Sequence, residues 1–300
     1  MPLNHRSIRS LQLPNRTLPL GKRTLVMGIL NVTPDSFSER GAYFDRKAAI
    51  SRGLEMEREG ADILDIGGES TRPGATPVSE QEELDRTIPV IEALRRKGLK
   101  IPISIDTYKS GVAARALGAG AEIVNDVSGL RYDLALASVV KKYHAAVVLM
   151  HLRGTPRTMQ QLAPVGNIVS TVRQGLRVSL RHALAAGIHP RRIILDPGIG
   201  FGKTPEQNFE LIRHLARFAR LGYPILLGPS RKFFIRQTVE ELASPGSRMR
   251  TPPGGLAENI LFGVAAAVTA AILNGAHIVR LHDVRQMLPV ARLADRLLTT

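Results

Sequence analysis

Eight short apolar runs alternate with eight longer helix-period segments, and this alternation constrains the fold more than any other feature of the chain. Each apolar run is compatible with a buried parallel strand, and a polar or Gly-rich turn follows it. Eight strands, each followed by a helix, predict an α/β protein with a (β/α)8 TIM barrel. The predicted strands are Leu25–Asn31, Asp62–Ile66, Ile101–Ile105, Glu122–Asp126, Ala146–Met150, Arg192–Leu195, Pro224–Leu227 and Ala276–Leu281. The predicted helices are Arg46–Gly60, Ser79–Lys97, Ser110–Ala119, Asp133–Tyr143, Val165–Gly187, Thr204–Arg220, Leu256–Asn274 and Asp283–Leu298.

A doubly wound open sheet is the alternative fold for the same alternation. That fold normally carries a Gly-rich fingerprint directly after its first strand. Here the first strand leads into a turn with Pro34 and Asp35, and no such fingerprint follows. The barrel is therefore the preferred prediction.

The segment before the first strand has the pattern of a β-hairpin. From Ser7 to Leu25, apolar and polar residues alternate, with turns at Pro14-Asn15 and Gly21-Lys22. We therefore expect residues 1–24 to form a short hairpin that closes the barrel floor, and residues 25–300 to form the barrel itself.

Composition limits the class of partner and compartment. The net charge is +15, which favours anionic partners. Arginines are spread along the chain, however, and only 5 Tyr and 8 Phe accompany them, so the clustered footprint of nucleic-acid binding is missing. The chain has no cysteine, which fits a reducing compartment such as the cytoplasm. We expect no membrane span, because the apolar stretch Ile260–Leu273 is too short to cross a bilayer.

Polar groups follow the first two predicted strands, and in a barrel all such groups meet at one mouth. Asn31 ends the first strand, where its amide could ligate a hard cation, orient a phosphate or simply cap a turn. After the second strand, Thr71 and Arg72 offer a hydroxyl and a guanidinium, a pair suited to phosphate. The same segment could also be an ordinary surface turn at Pro73-Gly74.

The third, fourth and sixth strands end in acids and amides. Asp106 directly follows an apolar run, where a charge is costly unless it is paired or used. Asn125 and Asp126 point to opposite sides of their strand, so one of them should face the mouth and either could be a cap. Asp196 precedes a Gly-rich loop with Phe201. That loop resembles a Walker A motif but has Pro197 where the first Gly is required.

Basic side chains end the last strands. Lys232 follows the seventh strand, while Arg280 and His282 are two residues apart and therefore share a face. Barrels commonly bind phosphate after strands seven and eight. His151, after the fifth strand, could be an acid, a base or a ligand, but without a partner it is better interpreted as a structural residue.

The combination of groups indicates a particular kind of ligand. An Asp with an Asn suits a heterocycle that presents donors and acceptors along one edge, such as a pterin or a purine. Arg72, Arg280 and His282 suit an anionic phosphate group. Together they predict a fused-ring substrate with a phosphate or diphosphate, and group transfer rather than redox chemistry.

These residues lie in motifs that resemble the dihydropteroate synthases, the sulfonamide-sensitive family of folate biosynthesis. The resemblance extends over nearly the whole chain from about Thr17 and rests on eight motifs in barrel order. They are MGILNVTPDSFS, DIGGESTRPGA, SIDTYK, IVNDVSG, LMHLRGTPRTMQ, LDPGIGFGKT, GPSRK and VRLHDV.

The resemblance implies a transferase that condenses 6-hydroxymethyl-7,8-dihydropterin diphosphate with 4-aminobenzoate, with Mg²⁺ required and a homodimer as the usual assembly. It implies catalytic roles for Asp106, Lys232 and Arg280. By motif, it implies that the pterin is held by Asp106, Asn125, Asp196 and Lys232, with Arg280 stacked on it. It implies that the diphosphate is bound by Thr71, Arg72, Arg280 and His282, and Mg²⁺ by Asn31. The walls of the 4-aminobenzoate pocket would be Phe37, Pro73 and Phe201.

One departure from the family pattern concerns the 4-aminobenzoate pocket. The family usually has Ser directly after the SRK motif, whereas this chain has Phe233. We expect this ring to change 4-aminobenzoate affinity or sulfonamide sensitivity. Phe233→Ser tests the idea, which is wrong if neither the Michaelis constant nor the inhibition changes.

Two other functions are weighed against the synthase. A corrinoid-dependent methyltransferase acting on methyltetrahydrofolate would share the pterin-binding Asp and Asn but would not need a diphosphate site. The other is a paralogous barrel that binds pterin without catalysis, but here every diphosphate and pterin position is filled. Binding without turnover would identify the paralogue.

Overall fold

The computed structural model describes residues 6–33, 42–71, 74–155, 157–162, 164–242 and 255–299. Its strands are β1 (Arg9–Gln12), β2 (Thr17–Leu20), β3 (Leu25–Asn31), β4 (Ile63–Gly67), β5 (Ile103–Asp106), β6 (Ile123–Asp126), β7 (Ala146–Met150), β8 (Ile193–Asp196), β9 (Leu226–Leu227) and β10 (Ile278–Leu281). Its α-helices are α1 (Ala42–Arg58), α2 (Glu80–Arg96), α3 (Ser110–Gly118), α4 (Leu136–Lys142), α5 (Ile168–Ala185), α6 (Pro205–Arg213), α7 (Ala216–Ala219), α8 (Phe233–Leu242), α9 (Leu256–Leu273) and α10 (Val284–Thr299).

Eight parallel strands form the predicted barrel. Their order is β8-β7-β6-β5-β4-β3-β10-β9. The two ends of this sheet meet where Leu195 of β8 forms a parallel bridge with Ile225, just before β9. The Leu195 amide also donates to the Pro224 carbonyl at 2.9 Å. The (β/α)8 fold predicted from the alternation is thus confirmed, and the strand ends predicted to meet do lie at one mouth.

Alternating residues of each strand divide the core into two layers. On β7, Ala146 and Val148 belong to the inner cluster that fills the barrel, while Val147 and Leu149 pack outward beneath the helices. This two-residue period is that of a strand with apolar layers on both faces. The inner layer thereby fills the barrel and leaves only its mouth for polar groups.

The N-terminal hairpin is present as predicted. Strands β1 and β2 pair antiparallel, with Arg9 opposite Leu20. Leu11 and Leu20 are fully buried in the same inner cluster as Met27 and Ile63 of the barrel. The division of the chain into a floor-closing hairpin, residues 1–24, and a barrel, residues 25–300, stays a prediction.

Two helical regions differ from the predictions. The predicted helix Thr204–Arg220 is two helices, α6 and α7, because the chain turns at His214 while the apolar spacing continues through the buried Leu215 and Phe218. Helix α8 was not predicted. Three consecutive apolar residues open it, and Ile235 and Val239, one helical turn apart, both pack in the outer core cluster, so the helix is amphipathic although short.

Helix α9 lies where it was predicted, and it begins before the apolar stretch Ile260–Leu273. With 18 residues, the whole helix is by length and composition able to cross a membrane. In the structure it packs beside α8 and α10 as part of the barrel's outer layer. Its buried face, which includes Val264, Val268 and Ala271, joins the outer core cluster.

Candidate active site

Side chains from separate strands converge at the mouth of the barrel. Asp106 ends β5, Asn125 lies on β6 and Asp196 ends β8. All three are less than a tenth exposed, although each is polar. The predicted site residues that line one common pocket are Thr71, Asp106, Asn125, Asp196, Phe201, Lys232 and Arg280.

Arg280 links two carboxylates across this pocket. Its Nε donates to Asp65 Oδ2 and its Nη2 donates to Asp106 Oδ2, each at 2.6 Å. Asp65 Oδ2 also accepts a hydrogen bond from Asn125 Nδ2 at 3.0 Å. One guanidinium from β10 therefore fixes acids on β4 and β5, and through Asp65 it also fixes the amide on β6.

Asp65 is a site residue that the sequence analysis missed. It is 1% exposed and stands between Leu64 and Ile66 on a fully buried strand. A charge inside an apolar run is costly unless it is paired. The same argument that identified Asp106 applies to Asp65 and would have found it.

Burial and pairing compete in the ionisation of the site. Burial raises the pKa of Asp106 to about 7, although the nearby Arg280 opposes this shift. Burial likewise raises the pKa of Asp196, against a hydrogen bond from the Gly198 amide. Burial disfavours the charge of Arg280, but Asp65 and Asp106 outweigh it and raise the pKa of Arg280 above its ordinary value.

The Gly-rich loop after β8 is shaped by its glycines and held by Lys203. Gly198 has φ +67°, and a Cβ there would lie 2.1 Å from the His151 carbonyl oxygen, so only Gly fits. Lys203 Nζ donates to the carbonyls of His151, Gly198 and Phe201 at 2.9, 2.6 and 3.0 Å. Burial lowers the pKa of Lys203 well below its ordinary value, and the nearby Asp196 opposes this shift. Three acceptors around one nitrogen favour the ammonium form, because a neutral amine has only two N–H groups.

This loop presents the ring of Phe201 to the site. Lys232 Nζ lies 4.0 Å from the centroid of that ring, a cation–π contact. The stem of Lys232 passes close to Gly200, where a Cβ would lie 2.9 Å from Lys232 Cδ. The predicted pterin residue Lys232 and the predicted 4-aminobenzoate residue Phe201 are thus neighbours.

His282 is oriented at the rim by the loop after β9. Its Nδ1 lies 2.9 Å from Ser230 Oγ, and its backbone amide donates to the same oxygen at 3.1 Å. Beside it, Arg231 Nη2 donates to Asp283 Oδ1 at 2.7 Å. The loops after β9 and β10 are therefore joined twice, which sets the direction of the His282 ring.

The remaining predictions about the 4-aminobenzoate pocket and Arg72 are not tested by the structure. Phe37, Arg72 and Pro73 lie outside the described residues. Phe233 is 65% exposed at the start of α8, whereas the next residue, Phe234, is buried. The expectation that Phe233 affects the 4-aminobenzoate pocket stays a prediction.

Neither His151 nor Asp126 is among the residues that line the pocket. His151 is buried, and burial lowers its pKa far below the ordinary value, so the ring is neutral. Asp126 accepts hydrogen bonds from the amides of Ser128 and Leu130, which caps the turn after β6. Of the adjacent pair on β6, Asn125 is thus the residue that faces the pocket.

An oxygen-lined space in front of Gly67 suits a hard cation. A Cβ added at Gly67 would lie 3.8 Å from both Asn31 Oδ1 and Asp106 Oδ2, so these oxygens face the same small space. The other oxygen of Asp106, Oδ1, is buried without a hydrogen-bond partner, as is Asp65 Oδ1. No group of three acidic or histidine side chains forms a metal cluster within the described ranges. Amide and carboxylate oxygens fit Mg²⁺, which commonly takes few protein ligands and completes its shell with water and phosphate.

The arrangement can bind an extended ligand with two chemical ends. Asp106, Asn125 and Asp196 offer acceptors and a donor to the edge of a polar heterocycle. Towards the rim, Thr71, Arg280 and His282 offer donors to an anion. A ligand that uses both ends would have its reactive carbon between them.

Comparison with known proteins gives consistent matches. The family description "Pterin binding enzyme" matches residues 27–282. A dihydropteroate synthase from Synechocystis sp. is 47% identical over 277 residues, which are 92% of this chain and 91% of that protein. A dihydropteroate synthase from Clostridium difficile, solved in the presence of pteroic acid, is similar with a TM-score of 0.82 and 44% identity over 93% of this chain and 98% of its own. The Xanthomonas albilineans dihydropteroate synthase with 4-aminobenzoic acid matches with a TM-score of 0.85 and 38% identity over 98% of this chain and 100% of its own.

Proposed function

We infer that this chain, which belongs to the dihydropteroate synthase family of pterin-binding enzymes, condenses 6-hydroxymethyl-7,8-dihydropterin diphosphate with 4-aminobenzoate. The products are 7,8-dihydropteroate and pyrophosphate, and the enzyme is a transferase of folate biosynthesis. The observation that carries this inference is the convergence of Asp106, Asn125, Asp196, Lys232 and Arg280 in one buried pocket at the barrel mouth.

Pterin recognition is the first proposed task of the pocket. Asp106 and Asp196 accept hydrogen bonds from ring N–H groups, and Asn125 matches a neighbouring donor and acceptor. Lys232 contributes a donor from the opposite side. Arg280 stays paired to Asp65 and Asp106, so its guanidinium is presented as a fixed plane against which the ring can stack.

Cleavage of the bond to the diphosphate is the second proposed task, and the basic and hydroxyl side chains at the rim assist it. The C–O bond between the pterin methylene carbon and the diphosphate breaks, and the electron pair leaves with pyrophosphate. Thr71, Arg72, Arg280 and His282 bind the departing anion, while the Asp106 carboxylate stabilises the positive charge that develops on the ring. We propose that Asn31 holds Mg²⁺, which when bound neutralises charge on the pyrophosphate.

Bond formation uses the second substrate. The amine of 4-aminobenzoate donates its lone pair to the methylene carbon, a C–N bond forms, and the amine loses a proton. Phe37, Pro73 and Phe201 are the proposed walls for its aromatic ring. The cation–π contact keeps Phe201 beside Lys232, so both substrates meet at this pair. Sulfonamides are proposed to occupy the same position as 4-aminobenzoate.

A homodimer in the cytoplasm is the proposed form of the enzyme. Helix α9 is apolar along its length, yet only 28% of its residues are buried within the chain. Phe262 on α9 and Leu293 on the adjoining α10 are 61% and 66% exposed. A second copy that covers these residues would bury apolar surface that one chain leaves in water.

The experiment that tests the function measures pyrophosphate release by the purified protein. The assay contains the dihydropterin diphosphate and Mg²⁺, with and without 4-aminobenzoate. Release that depends on 4-aminobenzoate and yields dihydropteroate establishes the synthase. Pterin binding without turnover would contradict it and identify a non-catalytic paralogue. Methyl transfer from methyltetrahydrofolate would identify a methyltransferase instead.

A further inference from the structure

Beside the pocket, Lys109 forms a buried ionic network with residues that have no assigned role. Its Nζ lies 2.5 Å from Glu69 Oε2, 2.6 Å from Glu83 Oε2 and 2.8 Å from the Val78 carbonyl oxygen. The side chains of Lys109, Glu69 and Glu83 are 15%, 7% and 1% exposed. Tyr108 OH donates to the other oxygen of Glu69 at 3.0 Å.

Two of the three oxygens that contact Lys109 belong to the connection between β4 and α2, and the third belongs to α2 itself. Glu69 lies at the start of the connection, Val78 lies just before the Ser79 cap of α2, and Glu83 lies in the first turns of that helix. One ammonium therefore ties both ends of this connection together. Between those ends is Thr71, which lines the pocket.

Lys109 comes from the neighbouring unit of the barrel, three residues after Asp106. The intervening Thr107 is buried, and its hydroxyl oxygen accepts a hydrogen bond from the Lys109 backbone amide at 3.2 Å. The network thus connects the segment that carries Thr71 to the segment that carries Asp106. Asp106 has its own anchors, namely the β5 ladder and Arg280, whereas the β4–α2 connection lies beyond the end of its strand.

Stability alone does not account for this network. One ammonium between two carboxylates leaves a net negative charge in a buried place, and burying charges costs free energy that their mutual attraction only partly recovers. Glu83 Oε1 is buried without a hydrogen-bond partner, and burial raises the pKa of Glu83. Such an arrangement is better explained by the geometry that it imposes.

We propose that Lys109 is a positioning residue for diphosphate recognition, because it closes the base of the loop that presents Thr71 to the substrate. The proposal deepens the function proposed above and rests on it. Since the ring-binding residues are anchored separately, Lys109 should affect the affinity for the diphosphate end of the substrate and leave the affinity for the ring unchanged.

The test compares two ligands in the presence of Mg²⁺, the dihydropterin diphosphate and 6-hydroxymethylpterin without diphosphate. Calorimetry gives the Kd of each ligand for the wild-type enzyme, for Lys109→Met and for Lys97→Met, an exposed lysine at the end of α2. In Lys109→Met, we expect the diphosphate ligand to bind on the order of tenfold more weakly, and the ligand without diphosphate to keep its affinity. Lys97→Met should match the wild type. Equal weakening of both ligands, or of neither, would overturn the proposal.

Glu69→Gln is the second variant for this test, to be used if Lys109→Met does not fold. It leaves Lys109 paired with Glu83 at zero net charge, so no buried ion loses its only partner. A smaller loss of the same kind is expected, again confined to the diphosphate ligand, and unchanged affinity for both ligands would contradict the role. Because binding is measured without turnover, a wild-type enzyme that binds both ligands but makes no dihydropteroate would refute the proposed function separately.

Discussion

At the scale of single residues, Asp65 is not among the residues that line the pocket, yet it holds two side chains that are, Arg280 and Asn125. Replacing it with Asn removes the negative charge that pairs with Arg280 Nε at 2.6 Å. Hydrogen bonds to charged groups contribute about 1.5–3 kcal/mol, so we expect Asp65→Asn to lower kcat/KM for the pterin substrate by roughly 10- to 100-fold. Steady-state kinetics check this, with the exposed Asp85→Asn as the matched control. An unchanged kcat/KM would show that Arg280 does not need Asp65.

The ionisation of Asp106 predicts a pH dependence at the same scale. Burial raises its pKa to about 7, so the carboxylate that is proposed to bind the pterin forms as the pH rises through that value. We expect kcat/KM for the pterin substrate to rise with pH through about 7, and Asp106→Asn to lose that limb of the profile. If the limb persists in Asp106→Asn, the substrate or another group titrates there.

The same shift has a defined sign for stability. The pKa of Asp106 in the folded state lies above that of an exposed Asp, so the folded state binds more protons in the interval between the two values. This carboxyl therefore contributes progressively less to stability as the pH rises from about 4 to about 7. Its function and its contribution to stability consequently favour opposite ends of the pH range.

At the scale of elements, the loop after β8 depends on one ammonium. Lys203 satisfies three carbonyls and thereby fixes the turn that carries Phe201. Lys203→Met would leave those carbonyls without that donor, and we expect the KM for 4-aminobenzoate to rise by about tenfold, since each lost bond to a charged group is worth about 1.5–3 kcal/mol and the loop can partly relax. Kinetics with varied 4-aminobenzoate measure this, with the exposed Lys22→Met as control. An unchanged KM would mean that the loop keeps its form without Lys203.

The secondary-structure elements also show how much of the fold could be predicted from the sequence. The eight strands were predictable because each is an apolar run with a polar end, and Asp106, Asn125 and Asp196 were found for the same reason. Helix α8 was not predicted, because the run of three apolar residues at its start obscures the helical spacing of Ile235, Val239 and Leu242. The joining of Asp65 to Arg280 was not predictable either, since it depends on two strands that are 215 residues apart in the chain.

For the whole molecule, the exposed apolar face of α9 and α10 predicts association. A charge placed on that face should prevent a second copy from covering it, because a buried unpaired carboxylate is costly. We expect Phe262→Glu to shift the protein from dimer to monomer in sedimentation velocity. Leu134→Glu, at a residue 77% exposed before α4, should leave the dimer intact. A wild-type monomer, or a dimeric Phe262→Glu, would contradict the proposed interface.

The barrel closes through one weak junction, between β8 and β9. Strand β9 has two residues, and a single bridge joins its neighbourhood to β8. Thermal opening should therefore begin at this seam, where the fewest ladder hydrogen bonds must break. Asp196 stands on one side of the seam and Lys232 on the other. The proposed binding of the pterin to both residues would place the substrate across this seam, so that substrate binding would also strengthen the weakest junction of the barrel.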